Sequence, residues 1–89
     1  MIGRFGIETW VGDREMFLFC CQNPQRGDRW TFCVARSTLE DLAPMEPFEP
    51  ALAFDALRAR IYSAAMDRMR VADARQLQSV LADDIRAVD

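Results

Sequence analysis

Glu15-Met16-Phe17-Leu18-Phe19-Cys20-Cys21 is the stretch that most constrains how this chain folds, an apolar run broken by no polar residue after Glu15. Its length suits a strand rather than a helix. Successive strand side chains point to opposite faces. Phe17, Phe19 and Cys21 therefore share one face, and Met16, Leu18 and Cys20 share the other. Asn23-Pro24-Gln25-Arg26-Gly27-Asp28 follows as a loop punctuated by Pro and Gly. Trp30-Thr31-Phe32-Cys33-Val34-Ala35 reads as the returning strand. Antiparallel pairing predicts cross-strand aromatic contacts between the Phe17, Phe19, Cys21 set and the Trp30, Phe32, Val34 set.

Upstream, residues 4–11 carry Phe5, Ile7 and Thr9 on one parity and predict a first strand, with Gly12-Asp13 as the turn. Near Ser37 the pattern changes from strand to helix. Ser37-Thr38-Leu39-Glu40 has the form of a capping box, so a short helix is expected to run to about Ala43. Pro44, Pro47 and Pro50 then hold an extended connector. From Ala51 to Arg70 the residues Phe54, Leu57, Ile61, Ala64, Ala65 and Met69 fall in one arc of a helix. Asp55, Ala59, Ser63, Asp67 and Arg70 fall outside it, whereas Arg58 projects inside it. Asp73-Ala74-Arg75-Gln76 is a second candidate capping box. Leu77, Val80, Leu81, Ile85 and Val88 after it predict a third helix over 74–88. Asp83 and Asp84 would then lie near its C-terminal end, against the helix dipole. The expected fold is α+β. A three-stranded antiparallel meander precedes a short helix, a long helix and a C-terminal helix (or short strand), all packed on one sheet face. At 89 residues this is one domain, 1–89.

Phe32-Cys33-Val34-Ala35-Arg36-Ser37-Thr38-Leu39-Glu40-Asp41-Leu42, followed by Ala53-Phe54-Asp55-Ala56-Leu57-Arg58-Ala59-Arg60-Ile61-Tyr62, resembles domain of unknown function 1488, a family of small bacterial proteins. The resemblance spans about residues 15–70 and rests on mostly structural motifs. It departs from the family pattern at Phe32, where the family has Cys, and at Ala35, where Ser would begin the helix. The resemblance implies an α+β fold with helices on one sheet face, and it implies no activity. It also implies a short closing strand in Ser79-Val80-Leu81-Ala82-Asp83-Asp84, in competition with the third helix, which the apolar spacing favours.

Composition narrows the functional classes. The chain is 51% apolar, too apolar for disorder, and no run is long enough to span a bilayer. All cations are Arg, with neither Lys nor His. Codon usage alone produces such a set; the functional reading is recognition of phosphate or carboxylate by Arg forks. A net charge of -3 disfavours nucleic acid as a partner. Without His the commonest general base and metal ligand are missing. The N-terminal residues Met1–Gly6 lack an apolar signal core, so the three cysteines are expected as reduced thiols in the cytoplasm.

Four groups remain as candidates. Cys20 and Cys21 point to opposite faces, and Cys33 shares a face with only one of them. This disfavours a metal site and leaves a redox pair of Cys20 with Cys33, or simple apolar packing. Arg58 on an apolar face needs acceptors. Glu40, Asp41 or the carbonyls near Ala43 would supply them; alternatively Arg58, with Arg60, binds an anion. Arg60, Arg68 and Arg75 line one side, most simply as a solvated mixed-charge face. Glu46 with Glu49, and Asp83 with Asp84, lack the convergence of a two-carboxylate mechanism. No cofactor is expected, and an enzyme is disfavoured.

The surplus lies in the hairpin. One helical layer covers one face of a small sheet, which leaves the other apolar face wet. Met16, Leu18, Cys20 and Trp30 are the candidate interaction surface. The expected function is a non-enzymatic interaction or regulatory module that forms a homodimer through its sheet, with a different protein partner as the second possibility. A thiol-based redox sensor and an Arg-based anion or nucleic-acid binder are the alternatives from other classes.

Overall fold

The computed structural model describes residues 4–22, 29–69 and 77–88. The fold is α+β, a four-stranded mixed sheet with three helices. Strands β1 (Arg4–Val11), β2 (Met16–Gln22) and β3 (Arg29–Ala35) form the antiparallel meander. A two-residue strand β4 (Gln78–Ser79) adds to β3 in parallel, so the order is β1-β2-β3-β4. The helices are α1 (Arg36–Leu42), α2 (Pro50–Arg68) and α3 (Ala82–Arg86). Pro50 opens α2 at the first turn, where its missing N–H costs nothing.

The β2–β3 register sets Phe17 opposite Val34, Phe19 opposite Phe32 and Cys21 opposite Trp30, as the alternation predicts. Paired residues share a face. These six meet Leu39 of α1, Phe54, Leu57, Ile61, Ala64 and Ala65 of α2, Val80, and Ile85 of α3 in one core. Phe19 is fully buried at its centre, with ring centroids 5.3 Å from Phe32, 5.8 Å from Phe54 and 5.4 Å from Tyr62. The arc predicted for α2 is the buried one.

Four expectations are corrected. The capping box at Ser37 does not form, because α1 begins two residues earlier, at Arg36, with Ala35 as its cap and no side-chain cap bond. Residues 74–88 are not one helix. Val80 N–H donates to the Cys33 carbonyl at 2.9 Å, and the chain becomes helical only from Ala82. The break turns Val80 and Ile85 into the core and leaves Leu77 and Leu81 54% exposed. It also moves Asp83 and Asp84 from the end of a helix to the first turn of one. There the dipole favours them, and Asp84 Oδ2 accepts from the Leu81 N–H at 2.9 Å. The candidate capping box at 73–76 lies outside the described residues.

The fourth correction concerns β1. Gly6 pairs with Cys20 and Thr9 with Leu18, so three steps on β1 oppose two on β2. The extra residue is a bulge at Ile7, whose φ of 56° is in the left-handed region. Phe5, Ile7 and Thr9 therefore do not share a face. Phe5 turns inward and Thr9 outward, and Ile7 is 64% exposed. A β-branched side chain in this backbone region costs about 1–3 kcal/mol.

Candidate functional site

Two places stand out. The first is a clamp between the edge strand and the long helix. The bulge leaves both Phe5 and Glu8 directed at α2. The Phe5 ring stacks on Tyr62 at a centroid distance of 4.1 Å and an interplanar angle of 7°. The Glu8 carboxylate is gripped by a guanidinium fork: Arg58 Nε donates to Oε2 and Nη2 to Oε1, both at 2.8 Å. Tyr62 O–H donates to the same carboxylate, and Arg58 Nη1 donates to Asp55. The guanidinium also sits over the Phe54 ring, 5.6 Å from its centroid.

Arg58 thus finds its acceptors on β1 and on its own helix, not on Glu40, Asp41 or the end of α1. Glu40 pairs with Arg36, and Asp41 with Arg86. With two carboxylates already on its fork, Arg58 has little left to offer a free anion. Arg60 is exposed and makes no ion pair with a described residue, so the two arginines do not converge. Arg68 is held by Asp84 at 2.8 Å and the Ser79 carbonyl at 3.1 Å. Arg75 lies outside the described residues.

The hydrogen bonds from Arg58 hold the Glu8 carboxyl below its ordinary value of 4.5, against the opposing pull of partial burial. Burial and the neighbouring Glu8 push the Tyr62 phenol upward from 10.0. The two shifts bound the clamp from both sides. A lowered carboxyl stabilises the fold above its unfolded value and loses that contribution as pH falls through the folded one. A raised phenol stabilises below 10.0 and loses it as pH climbs further. In Glu8→Gln the acid limb of a stability–pH curve is expected to flatten below pH 4.5, with a loss of about 1–2 kcal/mol at neutral pH. An acid limb identical to that of the wild type would show that the clamp contributes nothing.

The second place is the outer sheet face. Met16, Leu18 and Cys20 on β2 lie beside Val11, Thr9 and Gly6 on β1 and Thr31 and Cys33 on β3. All three helices pack on the opposite face, so no described element covers this one. Met16, Leu18 and Cys20 are half-buried, shielded among the described residues by their sheet neighbours. Trp30 does not belong with them. It is 5% exposed on the core side, opposite Cys21, as the parity of its own strand requires.

The cysteines separate accordingly. Cys21 is sealed in the core, and burial pushes its thiol up. Cys33, on the outer face, is 7% exposed beneath Ser79, whose hydroxyl lies 3.4 Å from its sulfur. Cys20 lines a recess of about 290 Å³ with Gly6, Ile7, Gln22 and Arg29. Arg29 Nη2 donates to its sulfur at 3.9 Å. Cys20 faces Thr31 and Cys33 faces Leu18, so the candidate redox pair is diagonal rather than opposed. Diagonal neighbours stand about 7–8 Å apart, beyond the reach of a disulfide without backbone movement. In the native protein a thiol reagent is expected to label Cys20 alone, with Cys21 and Cys33 reacting only as urea unfolds the chain. Labelling of Cys33 at the rate of Cys20 would contradict this ordering.

Among the described residues no group of three or more potential metal ligands comes together, and no helix is long and apolar enough to cross a membrane. Set against known protein families, curated proteins and solved structures, the chain matches none of them.

Proposed function

We propose that this chain is a non-enzymatic cytoplasmic interaction module that forms homodimers through the outer face of its sheet, centred on Met16, Leu18 and Cys20. The observation that carries this reading is the placement of all three helices on one face while β2 is apolar on both. Burial of apolar surface is worth about 25 cal/mol per Å², so an open face of this kind is a drive to associate.

A second copy is the favoured occupant because the centre of the face carries no charge. Val11, Thr9, Met16, Leu18, Cys20, Thr31, Cys33 and Ser79 are all neutral, in a chain of net charge -3. Copies repel elsewhere on their surfaces and meet here over a neutral centre, with Arg29 beside Cys20 at its edge. Three strands about 4.8 Å apart and about seven residues long present roughly 350 Å². A standard interface uses about 800 Å² per partner. The homodimer is therefore of the transient class. Relationship to domain of unknown function 1488 is part of the same proposal, supported by the succession of strand, short helix and long helix and by the closing strand at Gln78–Ser79.

Sedimentation velocity over a concentration series tests the reading. A shift from monomer toward dimer with rising concentration is expected. A fixed monomer up to millimolar concentration would overturn it.

A further inference from the structure

We infer that β1 has two registers, and that the flat one, with Phe5 and Ile7 turned onto the outer face, is the form that self-associates. The inference rests on the proposed homodimer and supplies its regulation.

The bulge is the starting point. Ile7 is a β-branched residue at φ 56° and is 64% exposed, so it neither suits its backbone nor gains burial from it. The bulge's effect is to bring Phe5 inward to the Tyr62 ring. Backbone strain at Ile7 and the Phe5–Tyr62 stack thus oppose one another within the same four residues.

Removing the bulge while keeping Thr9 opposite Leu18 gives a regular ladder. Glu8 then opposes Phe19, Ile7 opposes Cys20, Gly6 opposes Cys21 and Phe5 opposes Gln22. Strand alternation fixes where each side chain goes. Glu8 keeps its inward direction, so its bonds to Arg58 and Tyr62 survive in both registers. The exchange is confined to Arg4–Ile7. Gly6 makes it feasible: of the two residues that change to the inner parity, Arg4 is the first residue of the strand and Gly6 carries no side chain. In the bulged form a Cβ at Gly6 would meet nothing within 4 Å.

The flat register puts Phe5 and Ile7 on the outer face next to Cys20 and Gln22. That is the face that falls short of a standard interface by about half. A second copy docking there gains two large apolar side chains from each partner. It therefore binds the flat form more tightly and draws the population toward it. Phe5 and Ile7 already line the recess beside Gly6 and Cys20, so the exchange rearranges groups at its wall.

Two variants lock the bulge by different means. Ile7→Gly removes the strain that favours flattening. Gly6→Asp keeps its carboxylate in solvent when bulged and would have to bury it beside Cys21 when flat. Relaxation-dispersion NMR should show exchange at the amides of Arg4–Ile7 in the wild type, growing with protein concentration. Both variants should abolish that exchange, and Ile7→Gly, which adds no charge to the docking face, should weaken association about tenfold or more, a difference of about 1.4 kcal/mol. The melting temperature of Ile7→Gly should not fall. Association of Ile7→Gly within twofold of wild type, or the absence of exchange at Arg4–Ile7, would overturn the inference. A wild type that is monomeric throughout, yet still exchanges at Arg4–Ile7, would overturn the proposed homodimer and its coupling to the strand while upholding the two registers.

Discussion

Phe19→Ala is expected to lose about 3–5 kcal/mol of folding free energy, a large share of what holds a chain of this size together. The argument is one of position. The Phe19 side chain is fully buried and meets the rings of Phe5, Phe32, Phe54 and Tyr62. It therefore ties all of the first three strands to the long helix. A cavity there cannot collapse cheaply, because its walls belong to different elements. Total stability for a chain of this size is roughly 5–10 kcal/mol, so the loss takes a third of it or more. Urea denaturation followed by Trp fluorescence measures it. A loss below about 1 kcal/mol would mean that Phe19 is not the centre of the core.

Leu18→Asp should have the opposite profile, a large effect on association and a small one on folding. Leu18 lies opposite Thr9 and Cys33 on the open face, where water still reaches it in the monomer. A carboxylate there stays solvated until a second copy arrives. Docking would then strip water from two unpaired charges of the same sign. Breaking an interface in this way costs several kcal/mol, or about a hundredfold or more in the association constant. Sedimentation equilibrium paired with a urea melt separates the two quantities. An unchanged association constant would remove Leu18 from the interface, and a collapse of stability would show that the face is not open in the monomer.

These two residues differ by one step in sequence, and alternation alone distinguished their roles. The strand pairs Phe19–Phe32, Phe17–Val34 and Cys21–Trp30, and the buried arc of α2, were legible for the same reason: period and register repeat over many residues. Single-residue events were not. One extra residue at Ile7 separated Phe5 from the parity it was predicted to share with Thr9, turned it to the inner face and set Glu8 beside Arg58. Parity carries no mark of a bulge when the bulged residue is Ile rather than Gly. For the same reason the partner of Arg58 was sought on the wrong element. That the arginine needed a partner was readable from its place in the apolar arc; which partner depended on a backbone detail fifty residues away. The end of the chain failed differently. Leu77, Val80, Leu81, Ile85 and Val88 satisfy a helical period, yet two of them are buried by a strand and a separate short helix. Five apolar residues in twelve fit more than one geometry, and the open hydrogen-bonding edge of β3 decided between them.

The parallel pairing of β4 with β3 has a consequence for synthesis. Cys33 and Ser79 are partners, and Val80 and Ile85 fill the core between strands and helices translated long before them. A ribosome adding about 5–20 residues per second exposes the hairpin and α2 for some seconds before those plugs emerge from the exit tunnel. During that interval the edge of β3 stays unpaired and the core stays unfilled where Val80 and Ile85 will sit. The nascent chain therefore carries an open sheet edge and an incomplete core until those residues emerge, and chaperone contact should persist to that point rather than end when α2 first appears.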